Sequence, residues 1–151
     1  VSDNRKFATS QEIPRYNTLI GPRTQRTAMQ ISQQYGDASY VVRAYENGAV
    51  TVNNTIFTRS LIIMPEHLDT QWEPQYLEDV TERHLEPIVK FNPEVVLFGT
   101  GLQSKFPELH IQTYFVKRGI GIEIMNTAAA CRTYNILIAE GRNVACALLM
   151  H

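Results

Sequence analysis

Three short apolar runs late in the chain, separated by spacers of helical length, constrain the fold more than any other feature. They are Glu94–Phe98 (EVVLF), Ile120–Met125 (IGIEIM) and Asn143–Met150 (NVACALLM). Runs of five to eight aliphatic residues between turn signals read as strands covered on both faces. Between the first two, residues 104–118 fit a helix. Ser104 serves as its N-cap and Pro107 sits in its first turn. Leu109, Thr113 and Val116 form its apolar stripe, Lys117 and Arg118 complement its dipole, and Gly119 stops it. Between the second and third runs, Asn126 or Thr127 caps a helix over Ala128–Glu140 that Gly141 ends, with Cys131, Tyr134 and Ile138 on one face. Strand–helix–strand units of this length imply parallel, right-handed crossovers, so the C-terminal half reads as βαβαβ.

The earlier half reads differently. Residues 38–46 (ASYVVRAYE) form a strand, Asn47-Gly48 gives a strong hairpin signal, and residues 49–52 (AVTV) return. Asn53-Asn54 turns the chain again into a third strand over Ile56–Met64, which Pro65 ends by removing a backbone donor. Residues 74–91, interrupted by Pro87, hold one or two short helices. The expected fold class is therefore α/β (α+β). It is a three-layer single domain over residues 36–151, a mixed β-sheet flanked by helices with an N-terminal antiparallel meander. Residues 1–35 read as a flexible arm. Arg5, Lys6, Arg15, Arg23 and Arg26 outnumber Asp3 and Glu12 there, so docking to an acidic partner is the sharper alternative.

Composition limits the function classes. The chain has 151 residues, 44% of them hydrophobic and 19% charged, with a net charge of −1. That suits one globular domain and excludes a strongly basic nucleic-acid binder. Cys131 and Cys146 make no disulfide framework and no CxxC, which suits a reducing compartment. No apolar run reaches the ~18–20 residues that span a membrane, and the residues show no secretory pattern of basic start, apolar stretch and small-residue cleavage site. The expected location is cytoplasmic, or the mitochondrial matrix in a eukaryote. Val1 in place of Met points to processing or truncation.

Candidate chemistry gathers at strand carboxyl ends. The Gly99-Thr100-Gly101 turn and the helix start at Asn126-Thr127 both lie where open α/β sheets bind ligands, and a helix N-terminus suits an anion. The turn lacks the wider glycine pattern of a dinucleotide loop and the lysine of a P-loop, so a tight turn beside a capped helix is the plainer account and a small-anion site the sharper one. Glu123 stands among Ile120, Ile122, Ile124 and Met125. A carboxylate buried there needs a partner, and Arg132 and Arg142 are the nearest by topology. A structural ion pair is the plainer account and a general base the sharper one. His67, His84, His110 and His151 are scattered, so neither a metal nor another cofactor is expected. Cys131 falls on an apolar helix face, where a small buried thiol accounts for it. Trp72 reads as a hydrophobic plug over a sheet edge.

Three blocks carry a resemblance: Gly99-Thr100-Gly101, then Gly121-Ile122-Glu123-Ile124-Met125-Asn126-Thr127, then Ala129-Ala130-Cys131-Arg132-Thr133-Tyr134-Asn135 with Glu140-Gly141-Arg142. From about Tyr40 to Met150 the chain resembles a family of small α/β domains of unknown function. That family spans bacteria and archaea and includes mitochondrial complex I assembly factor 3. The resemblance implies a three-layer fold, no established activity or cofactor, and for the mitochondrial member a role in assembly alongside a partner protein. Gly99, Gly101, Glu123, Thr127, Arg132, Thr133, Tyr134, Asn135, Glu140 and Arg142 match its signature, none with an assigned chemical role. The family pattern carries an acidic residue where Asn126 stands; the neutral Asn can still cap the helix.

Three functions fit. The first is a non-catalytic binding or assembly module with an unidentified protein partner, which the resemblance favours. The second is a small-anion or metabolite-binding enzyme using Gly99, Thr100, Gly101, Glu123, Thr127, Arg132, Asn135 and Arg142. The third is a scaffold whose signature serves folding alone. A homodimer through exposed edges of the meander is compatible with each.

Overall fold

The computed structural model describes residues 35–151. The arm expected over residues 1–35 falls, but for Tyr35, outside the described residues. Two sheets form. In the smaller, β1 (Val42–Glu46), β2 (Ala49–Val52) and β3 (Thr55–Phe57) make an antiparallel meander. The expected Asn47-Gly48 hairpin is present, with φ of 52° and 76° at its two corners, the combination a tight right-twisted hairpin requires.

The larger sheet has five strands in the order β5-β4-β8-β6-β7. They are β4 (Leu61–Met64), β5 (His67–Asp69), β6 (Val95–Thr100), β7 (Gly121–Met125) and β8 (Val144–Leu149). β6 lies parallel to both β7 and β8, as the βαβαβ reading requires. β4 pairs antiparallel with β8, and β5 with β4. The single strand expected over 56–64 is thus two strands in two sheets. The break falls at Ser60, whose hydroxyl donates to the Pro74 carbonyl and whose N–H donates to Gln75 Oε1. Pro65 ends β4 as expected, but the chain turns there into β5. Losing one donor stops a ladder only locally, and the Pro65 carbonyl still accepts from the Ser39 and Tyr40 amides.

Alternation along the strands sends side chains to two layers. One face carries Ile62, Met64, Val96, Phe98 and Ala147, covered by the segment from Trp72 to Ile88 and by α2 (Leu109–Val116). That segment holds two 3₁₀ turns, Leu77–Asp79 and Glu82–His84, and the one-turn helix α1 (Glu86–Val89). Trp72 is not at a sheet edge. It lies inside this layer, edge-on to Phe98, and its indole N–H donates to the His84 carbonyl at 3.0 Å. The other face is covered by α3 (Thr127–Ala139), whose buried side chains are Thr127, Ala130, Cys131, Tyr134 and Ile138. Asn126 caps α3 as expected, its Oδ1 accepting the Ala129 N–H at 2.8 Å.

The helix expected over 104–118 is shorter, and its stripe points the other way. Ser104 caps nothing. Residues 101–108 are a loop pinned by Thr100 Oγ1, which donates to the Gln103 carbonyl at 2.7 Å and accepts the Lys105 N–H at 3.0 Å. α2 buries Ile111, Tyr114 and Phe115, while Leu109 and Val116 face solvent. The sequence is apolar on both sides of this helix, and the larger aromatic face takes the core.

Candidate functional site

The Gly99-Thr100-Gly101 turn and the start of α3 meet, as their places at neighbouring strand ends suggest. They meet by bonding to each other. The Thr127 N–H donates to the Gly101 carbonyl and the Gly101 N–H donates to Thr127 Oγ1, both at 2.9 Å. Thr127 Oγ1 in turn donates to the Leu149 carbonyl at the end of β8. One hydroxyl thus ties two strands to one helix. Both glycines are needed at this joint. A Cβ on Gly99 would stand 3.0 Å from Thr127 Cα and 3.1 Å from Leu148 Cδ2. Gly101 has φ of 103° and its open side faces the His151 carbonyl, so a side chain there is both strained and blocked. The first-turn amides of α3 are largely spent as well. Gly101 takes that of Thr127 and the Asn126 side chain takes that of Ala129. Those are the donors an anion at this helix end would use.

Glu123 departs from expectation. β7 is an edge strand, so only one of its faces is fully covered. Ile122 and Ile124 turn toward the α2 layer, and Glu123 is exposed on the other side. The expected ion pair with Arg132 or Arg142 is absent. Arg132 is exposed on α3, and Arg142 Nε instead donates to Glu94 Oε1 at 3.3 Å across an exposed gap. Exposed charges of this kind contribute little to stability. Glu123→Gln and Arg132→Ala are each expected to leave the unfolding free energy within about 0.5 kcal/mol of the parent chain. Urea denaturation checks this, and a loss several times larger would restore the buried-pair account.

Asn135 has a role that the sequence concealed. Its side-chain amide mimics a strand against β1: Oδ1 accepts the Val42 N–H at 3.2 Å and Nδ2 donates to the Val42 carbonyl at 2.7 Å. The neighbouring Tyr134 hydroxyl donates to the Tyr40 carbonyl at 2.8 Å. Together they latch α3 to the small sheet and occupy part of the β1 edge, one of those considered for a dimer. The only hint in the sequence is an Asn-bearing helix face beside a fully apolar one.

The two thiols are buried and unbridged. Burial pushes Cys131 up to about 12, against a smaller downward pull from Arg132. Cys146 is raised by burial and then by Cys131; the Tyr134 phenol is raised mainly by burial. Inert thiols follow, because the thiolate is the nucleophile. Linkage gives a sign. The native state keeps protons that the unfolded chain releases, so this stability is complete below the ordinary thiol value near 9 and is lost as pH rises toward 12. The urea midpoint is therefore expected to fall steadily above about pH 9. A flat midpoint up to pH 11 would contradict the assignment.

Among the described residues, no three His, Cys, Asp or Glu side chains come together to hold a metal ion. No described helix is long and apolar enough to cross a membrane.

Comparison with known proteins adds a family and relatives. A family model described as a protein of unknown function (DUF498/DUF598) matches residues 42–149. The chain is 30% identical over 122 residues to the 13 kDa major membrane protein of Francisella tularensis, covering 80% of this chain and 99% of that one. It is 28% identical over 127 residues to NADH dehydrogenase (ubiquinone) 1 alpha subcomplex assembly factor 3 of Bos taurus, covering 83% and 68%. A solved structure from Xanthomonas campestris is 38% identical with a TM-score of 0.69, covering 76% of this chain and 86% of that one.

Proposed function

The chain belongs to the DUF498/DUF598 family of proteins of unknown function, and from that premise we propose that it is a non-catalytic assembly module, a domain that acts by holding another polypeptide. The observation that carries this reading is the closure of the Gly101–Thr127 joint. The polar groups that a metabolite would engage at the carboxyl end of the sheet are bonded to one another. Relatives named as assembly factors support it. The residues grouped above as an anion site take structural parts under this reading: Gly99, Gly101 and Thr127 in the joint, Thr100 in the loop, Asn135 in the latch. Glu123, Arg132 and Arg142 remain as exposed charges on the outer surface. The two buried free thiols suit action in the reducing cytoplasm.

The test is affinity capture of the tagged full chain from its own host after mild cross-linking, with mass spectrometry of everything retained. A polypeptide recovered in near-stoichiometric amount is the expected result. Recovery of copies of this chain alone would replace the reading with self-association, for which β3, an edge of the small sheet among the described residues, is a candidate. An empty capture, together with a metabolite that raises the melting temperature of the purified protein, would overturn it. The name of the Francisella relative makes a lipid surface the competing partner; recovery in the membrane fraction without any polypeptide would favour that.

A further inference from the structure

Resting on that reading, we infer that the partner docks at the loop between β6 and α2, and that the segment it presents there is basic and apolar-bearing. Leu102, Phe106 and Leu109 are 67%, 79% and 75% exposed, three large apolar side chains within eight residues. They are held rather than loose. Thr100 Oγ1 ties the loop at Gln103 and Lys105, and Pro107, between Phe106 and Leu109, is buried, its carbonyl accepting from Gln112 Nε2. Tyr76 extends the patch. Its ring stacks on His151 at 5.3 Å, and the His151 carbonyl lies against Gly101. Ile56, Phe91, Val116 and Ile136 are exposed elsewhere, but no three of those fall within eight residues, and a fixed apolar surface of this kind marks an interaction site.

Charge selects the partner. Between residues 65 and 94, eight acidic residues stand against only Arg83 and Lys90. This segment forms the layer beside α2, and Glu82 reaches His110 of α2 at 3.4 Å. Glu78 and Asp79 are exposed in the turn between Tyr76 and Glu82, and Glu82 and Glu108 both lie against His110 beside Leu109, with Lys105 a single opposing charge in the loop. An acidic rim around an apolar centre attracts lysine and arginine flanking apolar anchors and repels anionic headgroups, which disfavours a lipid surface. A protein segment that buries its anchors on Phe106 and Leu109 and sets basic side chains against the rim satisfies both features.

The experiment places the photo-cross-linker p-benzoylphenylalanine at Phe106 of the full chain in its own host, and separately at exposed Ile56 on β3. The cross-linked peptides are then sequenced by mass spectrometry. The expected product at Phe106 is a net-basic segment of the captured partner carrying aliphatic or aromatic residues, with none at Ile56. Phe106→Ser/Leu109→Ser and Glu78→Lys/Asp79→Lys should each lower capture of that partner by roughly tenfold or more. Their far-ultraviolet circular dichroism should match that of the parent chain. Cross-links from Phe106 to lipid, to another copy of this chain, or to an acidic segment would overturn the inference, as would a silent Phe106. A partner captured in full by both double variants would refute this surface and leave the assembly reading standing; no captured partner at all would remove both.

Discussion

Thr127→Val should destabilise the protein by about 2–6 kcal/mol, the largest effect expected of any single isosteric change in the signature. Valine fills the same volume, so no cavity confuses the result. What it removes is the hydroxyl that accepts from Gly101 and donates to Leu149 inside a fully buried joint. One donor and one acceptor are then left without partners away from water, at roughly 1–3 kcal/mol each. Thr127→Ser keeps the hydroxyl and should recover most of the loss. Urea unfolding of the three proteins checks the order, and faster amide exchange at Gly101 in the Val variant would localise the damage. If Thr127 served a ligand rather than the fold, Val would leave the free protein unchanged, and an effect under about 0.5 kcal/mol would count decisively for that view.

Asn135→Leu should cost about 1–3 kcal/mol, and most of it should appear in one place. The side chain answers both backbone groups of Val42, the job an adjacent strand would otherwise do. Leucine answers neither. Among the described residues the small sheet has three strands, and α3 is latched to it through Tyr134 and Asn135, so its amides should lose exchange protection across residues 42–57 while those of β6 and β8 keep theirs. Asn135→Asp separates the two bonds: the acceptor for the Val42 N–H survives and the donor to its carbonyl does not. Uniform loss of protection across both sheets would show instead that the latch is part of a single cooperative core.

Much of this fold is legible in the sequence because run length and punctuation act locally. The three apolar runs, Asn126 as cap and Gly141 as terminator fix β6, α3 and β8 without knowledge of the tertiary structure. Strand order is not local, and that is where inference stopped. IGIEIM reads as buried if its strand is central. The chain places it at an edge, and its period-2 alternation was the signal that one face would be open. α2 posed the opposite problem, since two apolar stripes compete for one core and only packing decides. The break at Ser60 depends on Pro74 and Gln75, which are remote in sequence. The candidate site was legible as a neighbourhood, with Gly99-Thr100-Gly101 beside Thr127. That these groups would satisfy one another was not, because hydrogen-bond partners across twenty-six residues carry no local mark.

Native mass spectrometry of the protein gently purified from its own host tests the central claim most directly. An assembly module with a closed joint should carry no small molecule. Its mass should be that of the polypeptide alone or of the polypeptide with a protein partner. A stoichiometric small-molecule adduct on the free chain, displaced by inorganic phosphate, would contradict the account and return the Thr127 helix start to consideration as a binding site.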